Sequence, residues 1–290
     1  MADTNGFTVV TFNLKGKESL HTIADQIKEM GPQPDVICVQ EVNFVLEAEE
    51  GPNSTTAHKL ARLLDKDSDQ WEVYFQGTRV GMGHTSGRKE KVWKGYGLAV
   101  LVNSSRAECH ARLSFPLTPG DHPGKAGNGV KRCALGVWVS VPCLGDKRVW
   151  VVSAHVGKFA TETRVGGVLT DIRSMFPGDV ILGADLNAKP ATLDSCEETE
   201  WCWPRKEAWI PVGGDHGLEE AIGDSFTFRP EHQTSPDSRL DFILVSSTRL
   251  DQWQCEDEEV GSLHNWWIEK AYSDHAPVRV SFNKDAECYM

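Results

Sequence analysis

The segment VILGADLNAKP, residues 180–190, decides how the rest of the chain is interpreted. Its β-branched apolar start is typical of a buried strand, and two small residues then lead to Asp185 and Asn187. Because one residue separates these two, an extended segment would project both from one face while Leu186 points the other way. The carboxylate can bind a metal ion or orient a water, and the amide can donate to phosphoryl oxygens. An ordinary Asx turn before Pro190 is the alternative interpretation.

Five further polar motifs lie at the ends of predicted strands. They are Asn13 in TFNLKG, Gln40 and Glu41 in PDVICVQEV, His155 in VVSAHVG, Asp241 in RLDFIL, and Asp274 with His275 in the run Ser273 to His275. Strands would bring these acidic, amide and imidazole groups to one rim of a sheet. Each motif alone is common, but the combination indicates a hydrolytic site.

Glu41 directly follows the predicted buried strand 36–39, where a carboxylate is costly unless it meets a cation or a donor. Mg²⁺ prefers oxygen ligands and often takes only one or two protein carboxylates, with water and substrate phosphate completing its octahedron. A surface glutamate is the common alternative at a strand end. Together with the other polar motifs, Glu41 favours a site for Mg²⁺, with Mn²⁺ as the second choice of ion.

Two histidines supply the acid–base chemistry of the predicted site. One imidazole of the pair His155 and His275 could position or protonate a phosphoryl oxygen or a leaving group, and Asp241 could hold the tautomer of the other ring. A lone histidine is usually structural or exposed. The prediction therefore depends on the histidines occurring together with the acidic and amide motifs.

The 290 residues are 40% hydrophobic and 25% charged, which is typical of a globular enzyme. We expect one α+β domain over 1–290, with two packed sheets flanked by helices. We also expect a cytoplasmic protein, because no apolar stretch approaches the roughly 20 residues of a membrane span and no signal-peptide pattern opens the chain. None of the eight cysteines forms a C-x-x-C pair, which favours structural thiols over zinc ligands or disulfides.

Periodicity predicts nine strands and three helices. The strands cover 7–14, 36–39, 71–75, 98–102, 133–141, 148–154, 180–182, 240–245 and 277–282. Two helices are expected over 20–30 and 165–176. A further helix is expected after a cap at 54–56, with Leu60, Leu63 and Leu64 on its apolar face. The segment 79–94 contains five basic residues and one acidic residue and is rich in glycine. It predicts a basic loop that could meet phosphates, with an ordinary solvated loop as the equal alternative.

The ordered motifs TFN, QE, SAH, GADLN, RLDFIL and SDH together resemble those of the endonuclease/exonuclease/phosphatase superfamily, which has the fold of pancreatic deoxyribonuclease. The resemblance spans Asn13 to His275. It implies a four-layered α/β sandwich, with two mostly antiparallel sheets flanked by helices, and metal-dependent cleavage of a phosphate ester.

The resemblance also implies a role for each motif residue. Glu41 matches the metal-binding glutamate, with Asn13 beside it, and Asp274 matches a further metal-site or histidine-orienting carboxylate. His155 and His275 match the imidazole pair, Asp185 the residue that activates water, Asn187 a transition-state donor, and Asp241 the support of one histidine. Tyr74 and Arg132 are matched to phosphate contacts by strand order only, and Arg79, Lys89 and Lys91 come from the basic segment.

Two positions depart from the family pattern. Ala184 is an extra small residue in the usual Gly-Asp-Phe-Asn run, although the Asp-x-Asn spacing is kept. Asn43 stands where deoxyribonuclease-like members carry a basic contact.

The basic segment and the pair Lys131–Arg132 favour a nuclease acting on DNA or RNA, and the Gln40–Glu41 pair is similar to that of nucleases and deadenylases. No protein partner can be inferred from the sequence. A sphingomyelinase-like or other lipid or inositol phosphodiesterase, or a phosphatase, is the second hypothesis. Two of the groups formed by the ten tryptophans look exposed or awkward to bury, namely Trp201, Trp203 and Trp209, and Trp266 with Trp267. Tryptophan favours membrane interfaces, but it also fills cores and stacks on bases, and core packing and base stacking are the alternatives for these residues. An inactive scaffold relative is the third hypothesis, although every core motif residue is present.

Overall fold

The computed structural model describes most of the chain. The described residues are 6–14, 20–46, 55–65, 70–84, 91–117, 133–142, 147–156, 162–197, 199–205, 208–211, 240–246, 253–260, 275 and 277–284. They form two β-sheets and four helices.

Six strands form the first sheet. In spatial order they are β12 (Trp253–Val260), β13 (Val278–Lys284), β1 (Gly6–Asn13), β2 (Val36–Leu46), β4 (Lys91–Asn103) and β3 (Trp71–His84). Only β1 and β2 run parallel, and helix α1 (Leu20–Glu29) connects them in the chain. The other neighbours pair in antiparallel fashion.

Seven strands form the second sheet. In spatial order they are β10 (Ala208–Pro211), β9 (Cys202–Arg205), β11 (Asp241–Ser246), β8 (Val180–Asp185), β7 (Lys147–His155), β6 (Cys133–Val141) and β5 (Glu108–Pro116). Here β7 and β8 form the one parallel pair, and helix α3 (Glu162–Met175) lies between them in the chain. Both sheets are therefore mostly antiparallel, as predicted.

Three apolar cores separate four layers. Helices α1 and α2 (Thr56–Leu64) pack on the outer face of the first sheet, and α3 with α4 (Pro190–Asp194) packs on the outer face of the second. The middle core joins the two sheets through residues such as Val36, Val100 and Ile243. The four-layered sandwich expected from the sequence is confirmed.

Amphipathic spacing explains the helix positions. In α2 the buried residues are Ala57, Leu60, Ala61 and Leu64, which recur at helical intervals. The hydroxyl of Thr55 accepts a hydrogen bond from the backbone N–H of His58 at 3.4 Å and so caps the helix N-terminus.

The two parallel pairs bring the polar motifs to one end of the sandwich. Asn13 pairs with Gln40 at the end of β1, and His155 pairs with Asp185 at the end of β7. Asp241 opposes Asp185 at the start of the antiparallel β11. The predicted gathering of strand ends therefore follows from the topology.

Two predicted boundaries are wrong. Strand β2 does not end at Gln40 and Glu41 but continues to Leu46, because an irregularity between Val39 and Val42 absorbs the pair and pairing with β4 then resumes. The basic segment is not wholly a loop either. Residues 79–84 and 91–94 are the arms of the β3–β4 hairpin, with His84 opposite Lys91.

For two of these tryptophans the core-packing alternative is confirmed. Trp201 is fully buried and donates its indole N–H to the carbonyl of Leu169 at 3.0 Å, and Trp203 is also buried in the core beneath α3. The Trp209 side chain and Trp266 with Trp267 lie outside the description. Within the described residues, no helix combines the length and apolar character that crossing a membrane requires.

Candidate active site

The carboxylate of Asp185 is the centre of the site. It is buried, and its Oδ2 atom accepts a hydrogen bond from the Asn13 amide at 2.7 Å. The same oxygen lies 3.2 Å from Nε2 of His155 and 3.9 Å from Nε2 of His275. One oxygen thus meets the side chain of Asn13 from β1, that of His155 from β7 and that of His275, which precedes β13.

Two opposing effects act on the protonation of Asp185. Burial alone would raise the pKa of this carboxyl, because a charge is poorly solvated in the interior. The charges of His155 and His275, together with the hydrogen bonds from His155 and Asn13, outweigh burial and lower the pKa of Asp185 below its ordinary value. The carboxylate therefore stays ionised at neutral pH.

His275 is held from the other side by Asp241. Its Nδ1 atom lies 2.7 Å from Oδ2 of Asp241, and both residues are buried. A carboxylate at this distance accepts the Nδ1 proton, so Nε2 is the imidazole atom turned toward Asp185. The predicted pairing of Asp241 with one histidine is present in the structure.

Asn187 contacts the second histidine. Its amide nitrogen lies 3.1 Å from Nε2 of His155 and donates to the carbonyl of Val156 at 2.8 Å. Its backbone N–H donates to Oδ1 of Asp185 at 2.9 Å, and its φ is 49°. Asp185 and Asn187 therefore meet through an Asx turn and a left-handed residue, and not through the extended segment predicted from their spacing.

Glu41 occupies the irregularity in β2. Its φ is 53°, in the left-handed region, and its carboxylate lies 3.9 Å from Nε2 of His155. The side chain is 28% exposed, so water and a substrate oxygen can reach it. Glu41 provides a partly solvated carboxylate, and Asn13 is buried beside it with its amide nitrogen facing Asp185; carboxylate and amide oxygens are the ligands that Mg²⁺ prefers. These residues fit a hard divalent ion.

A second grouping consists of Asp185, Asp241 and His275, whose ligand atoms lie within 4.8 Å of one another. In this group the Nδ1 atom of His275 is engaged with Asp241, and the carboxylate of Asp185 is engaged with Asn13 and His155. The arrangement suits proton transfer better than metal coordination, because the donors already hydrogen bond to one another.

Of the remaining predicted residues, Tyr74 is the one whose side chain the structure describes. Tyr74 is on β3, where its hydroxyl donates to Glu72, and burial with contacts to Cys109 and Glu72 raises the pKa of Tyr74. Arg79 and Lys91 are described only as strand backbone. Lys89, Arg132 and Asp274 lie outside the described residues.

Two buried hydroxyl residues beneath the cluster, Thr11 and Ser153, were not singled out in the sequence. They stand two residues before Asn13 and His155 respectively, so they share a strand face with them. That spacing was the available signal.

The family model described as "Endonuclease/Exonuclease/phosphatase family" matches residues 10–275. No curated protein matches significantly. Among solved structures, an endonuclease/exonuclease/phosphatase family protein from Leptotrichia buccalis has a TM-score of 0.63 at 17% identity, covering 96% of this chain and 99% of that one.

Two other similar structures differ in what they act on or contain. D. rerio TDP2 complexed with a single-strand DNA product has a TM-score of 0.60 at 13% identity, covering 96% of this chain and 99% of that one. A mannosyl-6-phosphatase from Bacteroides thetaiotaomicron has a TM-score of 0.55 at 14% identity, covering 95% and 99%. At such identities the likeness establishes the fold alone. The family model, however, runs from β1 to His275 and so includes every described strand end that forms the cluster: the chain belongs to the endonuclease/exonuclease/phosphatase family.

Proposed function

We propose that this protein is a Mg²⁺-dependent phosphodiester hydrolase whose substrate is a nucleic acid. Enzymes of the family are hydrolytic phosphoesterases and generally use divalent metal ions. The observation that carries the proposal is the buried Asp185 carboxylate, 3.2 Å from Nε2 of His155 and 3.9 Å from Nε2 of His275. An ionised acceptor beside two proton carriers suits the activation of a water for attack on phosphorus.

In the proposed reaction, Asp185 orients a water molecule, and the proton of this water passes to the cluster that Asp185 forms with the two imidazoles as the water oxygen attacks phosphorus in line with the leaving oxygen. The bond between phosphorus and the leaving oxygen breaks, and an imidazole of the site gives that oxygen a proton. The products are a phosphate monoester and an alcohol. Asp241 keeps His275 in the orientation that this proton transfer needs.

Asn187 and His155 are proposed to stabilise the transition state. The Asn187 amide lies 3.1 Å from the His155 ring, so both can donate to the same phosphoryl group as negative charge develops on it. Glu41 and Asn13 would hold the divalent ion, with Asp274 as a further ligand. When bound, such an ion supplies positive charge beside the phosphoryl oxygens.

Nucleic acid is inferred as the substrate from the course of strands β3 and β4, which lead into and out of the basic segment. Strand β2 continues past Glu41, and its last residue, Leu46, pairs with Trp93 of β4. The β3–β4 hairpin therefore extends the first sheet beyond the catalytic end, and its segment 79–94 contains five basic residues and one acidic residue. A cationic ribbon beside the site would attract a chain of phosphates.

The case for a lipid substrate is weaker than the sequence suggested. The side chains of Trp209, Trp266 and Trp267 lie outside the described residues, whereas Trp201 and Trp203 are 0% and 3% exposed and pack in the core. Residues in that position cannot enter a membrane interface.

A cleavage panel tests the proposal. The wild type, His155→Ala and Glu41→Gln are incubated with single-stranded DNA, duplex DNA, single-stranded RNA or sphingomyelin vesicles, with Mg²⁺ or with a chelator. We expect Mg²⁺-dependent cleavage of a nucleic acid, reduced about 10²–10⁴-fold by His155→Ala. Cleavage of sphingomyelin alone would make the nuclease assignment wrong. No cleavage by the wild type would favour the inactive scaffold.

The role of the basic segment 79–94 is tested separately, by reversing the charge of two of its lysines. Lys89→Glu combined with Lys91→Glu should weaken nucleic-acid binding and reduce its salt dependence by about two counterions. The control is Lys59→Glu combined with Arg62→Glu on the exposed face of α2, which changes the net charge equally. Equal effects of the two double variants would mean that the segment is an ordinary solvated surface.

A further inference from the structure

A buried hydrogen-bond junction lies directly beneath the candidate site, and its centre is Gln40. The side-chain nitrogen of this fully buried residue lies 3.1 Å from Oγ1 of Thr11, 3.2 Å from Oγ of Ser153 and 3.2 Å from the carbonyl oxygen of Gly183. The Ser153 hydroxyl in turn donates to the carbonyl of Val39 at 3.2 Å. One amide thus joins β1 and β2 of the first sheet to β7 and β8 of the second.

Each partner of Gln40 stands two residues before a site residue of its own strand. Thr11 precedes Asn13, Ser153 precedes His155, and Gly183 precedes Asp185. Residues two apart lie on the same strand face, so the junction and the site residues form consecutive layers. If any one of these strands were displaced, its contact with Gln40 would change and its site residue would move at the same time.

Gln40 also borders the irregularity that turns Glu41 toward the site. Its backbone carbonyl accepts a hydrogen bond from the N–H of Leu14 at 3.0 Å, so its main chain and side chain are both fixed. The next residue, Glu41, then departs from the strand with a φ of 53°. The position of the Glu41 carboxylate therefore depends on how Gln40 is held.

The chemistry of the junction requires an amide. The carbonyl of Gly183 can only accept, so a donor must face it, and the two hydrogens of the Gln40 amide are shared among three acceptors. An apolar side chain of equal length would fill the space but leave these buried oxygens without their donor.

We propose that Gln40 is a positioning residue that sets the places of Glu41, Asn13, His155 and Asp185 relative to one another, and through them the affinity for the divalent ion. This inference rests on the proposed function. Gln40 touches no substrate in this scheme, since it is buried between the sheets.

Gln40→Met tests the inference, because it keeps the length of the side chain and removes the donor. The matched control is Gln26→Met, the same change at a buried glutamine of α1. Mn²⁺ binding is measured by electron paramagnetic resonance, and kcat is measured at saturating Mg²⁺. We expect Gln40→Met to weaken Mn²⁺ binding or lower kcat about 10–100-fold. We expect Gln26→Met to stay within about twofold of the wild type in both. A Gln40→Met protein that matches the wild type in both would overturn the inference.

A second pair of variants decides the question if Gln40→Met does not fold. Thr11→Val removes the hydroxyl near Gln40 and keeps the shape, whereas Thr11→Ser keeps the hydroxyl. We expect weaker Mn²⁺ binding in Thr11→Val and near-normal binding in Thr11→Ser. Equal binding in both variants would count against the junction.

Amide hydrogen exchange separates failure of this inference from failure of the proposed function. If Gln40 fixes the four strands, Thr11→Val should exchange faster than Thr11→Ser in peptides covering 9–14, 151–156 and 181–187, whether or not metal is present. A wild type that binds no Mn²⁺ and cleaves nothing would refute the proposed function. Unchanged exchange in these peptides would instead refute the positioning role.

Discussion

The imidazole of His275 is fixed by Asp241, whose Oδ2 lies 2.7 Å from its Nδ1 in a buried pair. Asp241→Asn keeps the shape of that side chain but can present an amide N–H to Nδ1, which would force the ring proton to Nε2. We expect kcat to fall about 10²–10⁴-fold while the midpoint of thermal unfolding changes little. Steady-state kinetics over a pH series, together with thermal unfolding, would measure both.

The control for this variant is Asp179→Asn. Asp179 directly precedes β8, at the end of that strand away from Asp185 and the site. The control variant should retain activity within about threefold of the wild type, because Asp179 is remote from the cluster. A wild-type kcat and pH profile in Asp241→Asn would show that Asp241 does not orient the ring.

Asn187 combines a left-handed backbone with a functional amide, and two substitutions separate these properties. Asn187→Gly tolerates the φ of 49° and loses the hydrogen bonds to Val156 and His155. We expect kcat to fall about 10²–10³-fold with a modest loss of stability. Asn187→Ala should lose the same activity and about 1–2 kcal/mol more stability, since its Cβ is strained in that region. Urea unfolding and kcat measure the two effects, and an active Asn187→Gly would exclude the amide from the reaction.

Most of the architecture could be predicted from periodicity, and the missed strands share one property. They are β5, β9, β10 and β12, which lie at or next to the edges of the two sheets. In β5 the burial pattern alternates between exposed and partly buried residues, so no continuous apolar run marks it. The strands in the middle of the two sheets have dense apolar sequences, which make them visible in the sequence.

The candidate site was predictable as a set of residues but not as a geometry. Sequence patterns placed His155, Asp185 and His275 at strand ends, and topology brings them together. The left-handed backbone of Glu41 could not be predicted from the sequence. Val42 resumes an apolar pattern after it, so residues 36–46 are equally consistent with one continuous strand and with a strand followed by a loop. The burial of Gln40 was hidden as well, since its partners come from β1, β7 and β8, far away in the sequence.

The positive φ of Glu41 predicts that function and stability compete at this position. Glu41→Gly would relieve about 1–2 kcal/mol of left-handed strain. The greater entropy loss of glycine on folding offsets this by roughly 0.5–1 kcal/mol. We therefore expect a free energy of unfolding at or slightly above that of the wild type, together with loss of stabilisation by Mg²⁺. Val42→Gly, one residue further along and fully buried, should cost more than about 2 kcal/mol. A strongly destabilised Glu41→Gly would contradict the assigned strain.

Gly183 allows the two sheets to approach each other beneath the site. A Cβ at this position would lie 2.8 Å from Cβ of Cys38 and 3.0 Å from Cβ of Thr11, and neither atom can rotate away. Gly183→Ala should therefore destabilise the protein by about 1–3 kcal/mol and lower kcat, because Asp185 follows two residues later. Gly167→Ala on α3 is the control. Its Cβ meets nothing within 4 Å, and the helix should gain up to about 1 kcal/mol. If urea unfolding gave Gly183→Ala the same free energy of unfolding as the wild type, the close approach of the two sheets at Gly183 would be contradicted.

The lowered pKa of Asp185 predicts a specific dependence of stability on pH. Since the folded pKa lies below the unfolded value, the ionised carboxylate stabilises the native state above the unfolded value of about 3.9. This contribution is lost as the pH falls through the folded pKa. In Asp185→Asn the contribution is missing at every pH. The difference in unfolding free energy between the wild type and this variant should thus favour the wild type at pH 6 and shrink steadily below pH of about 4. Urea unfolding at several pH values measures the difference, with Asp179→Asn as the control. A difference that grows on acidification would mean that burial, and not the two imidazoles, dominates the protonation of Asp185.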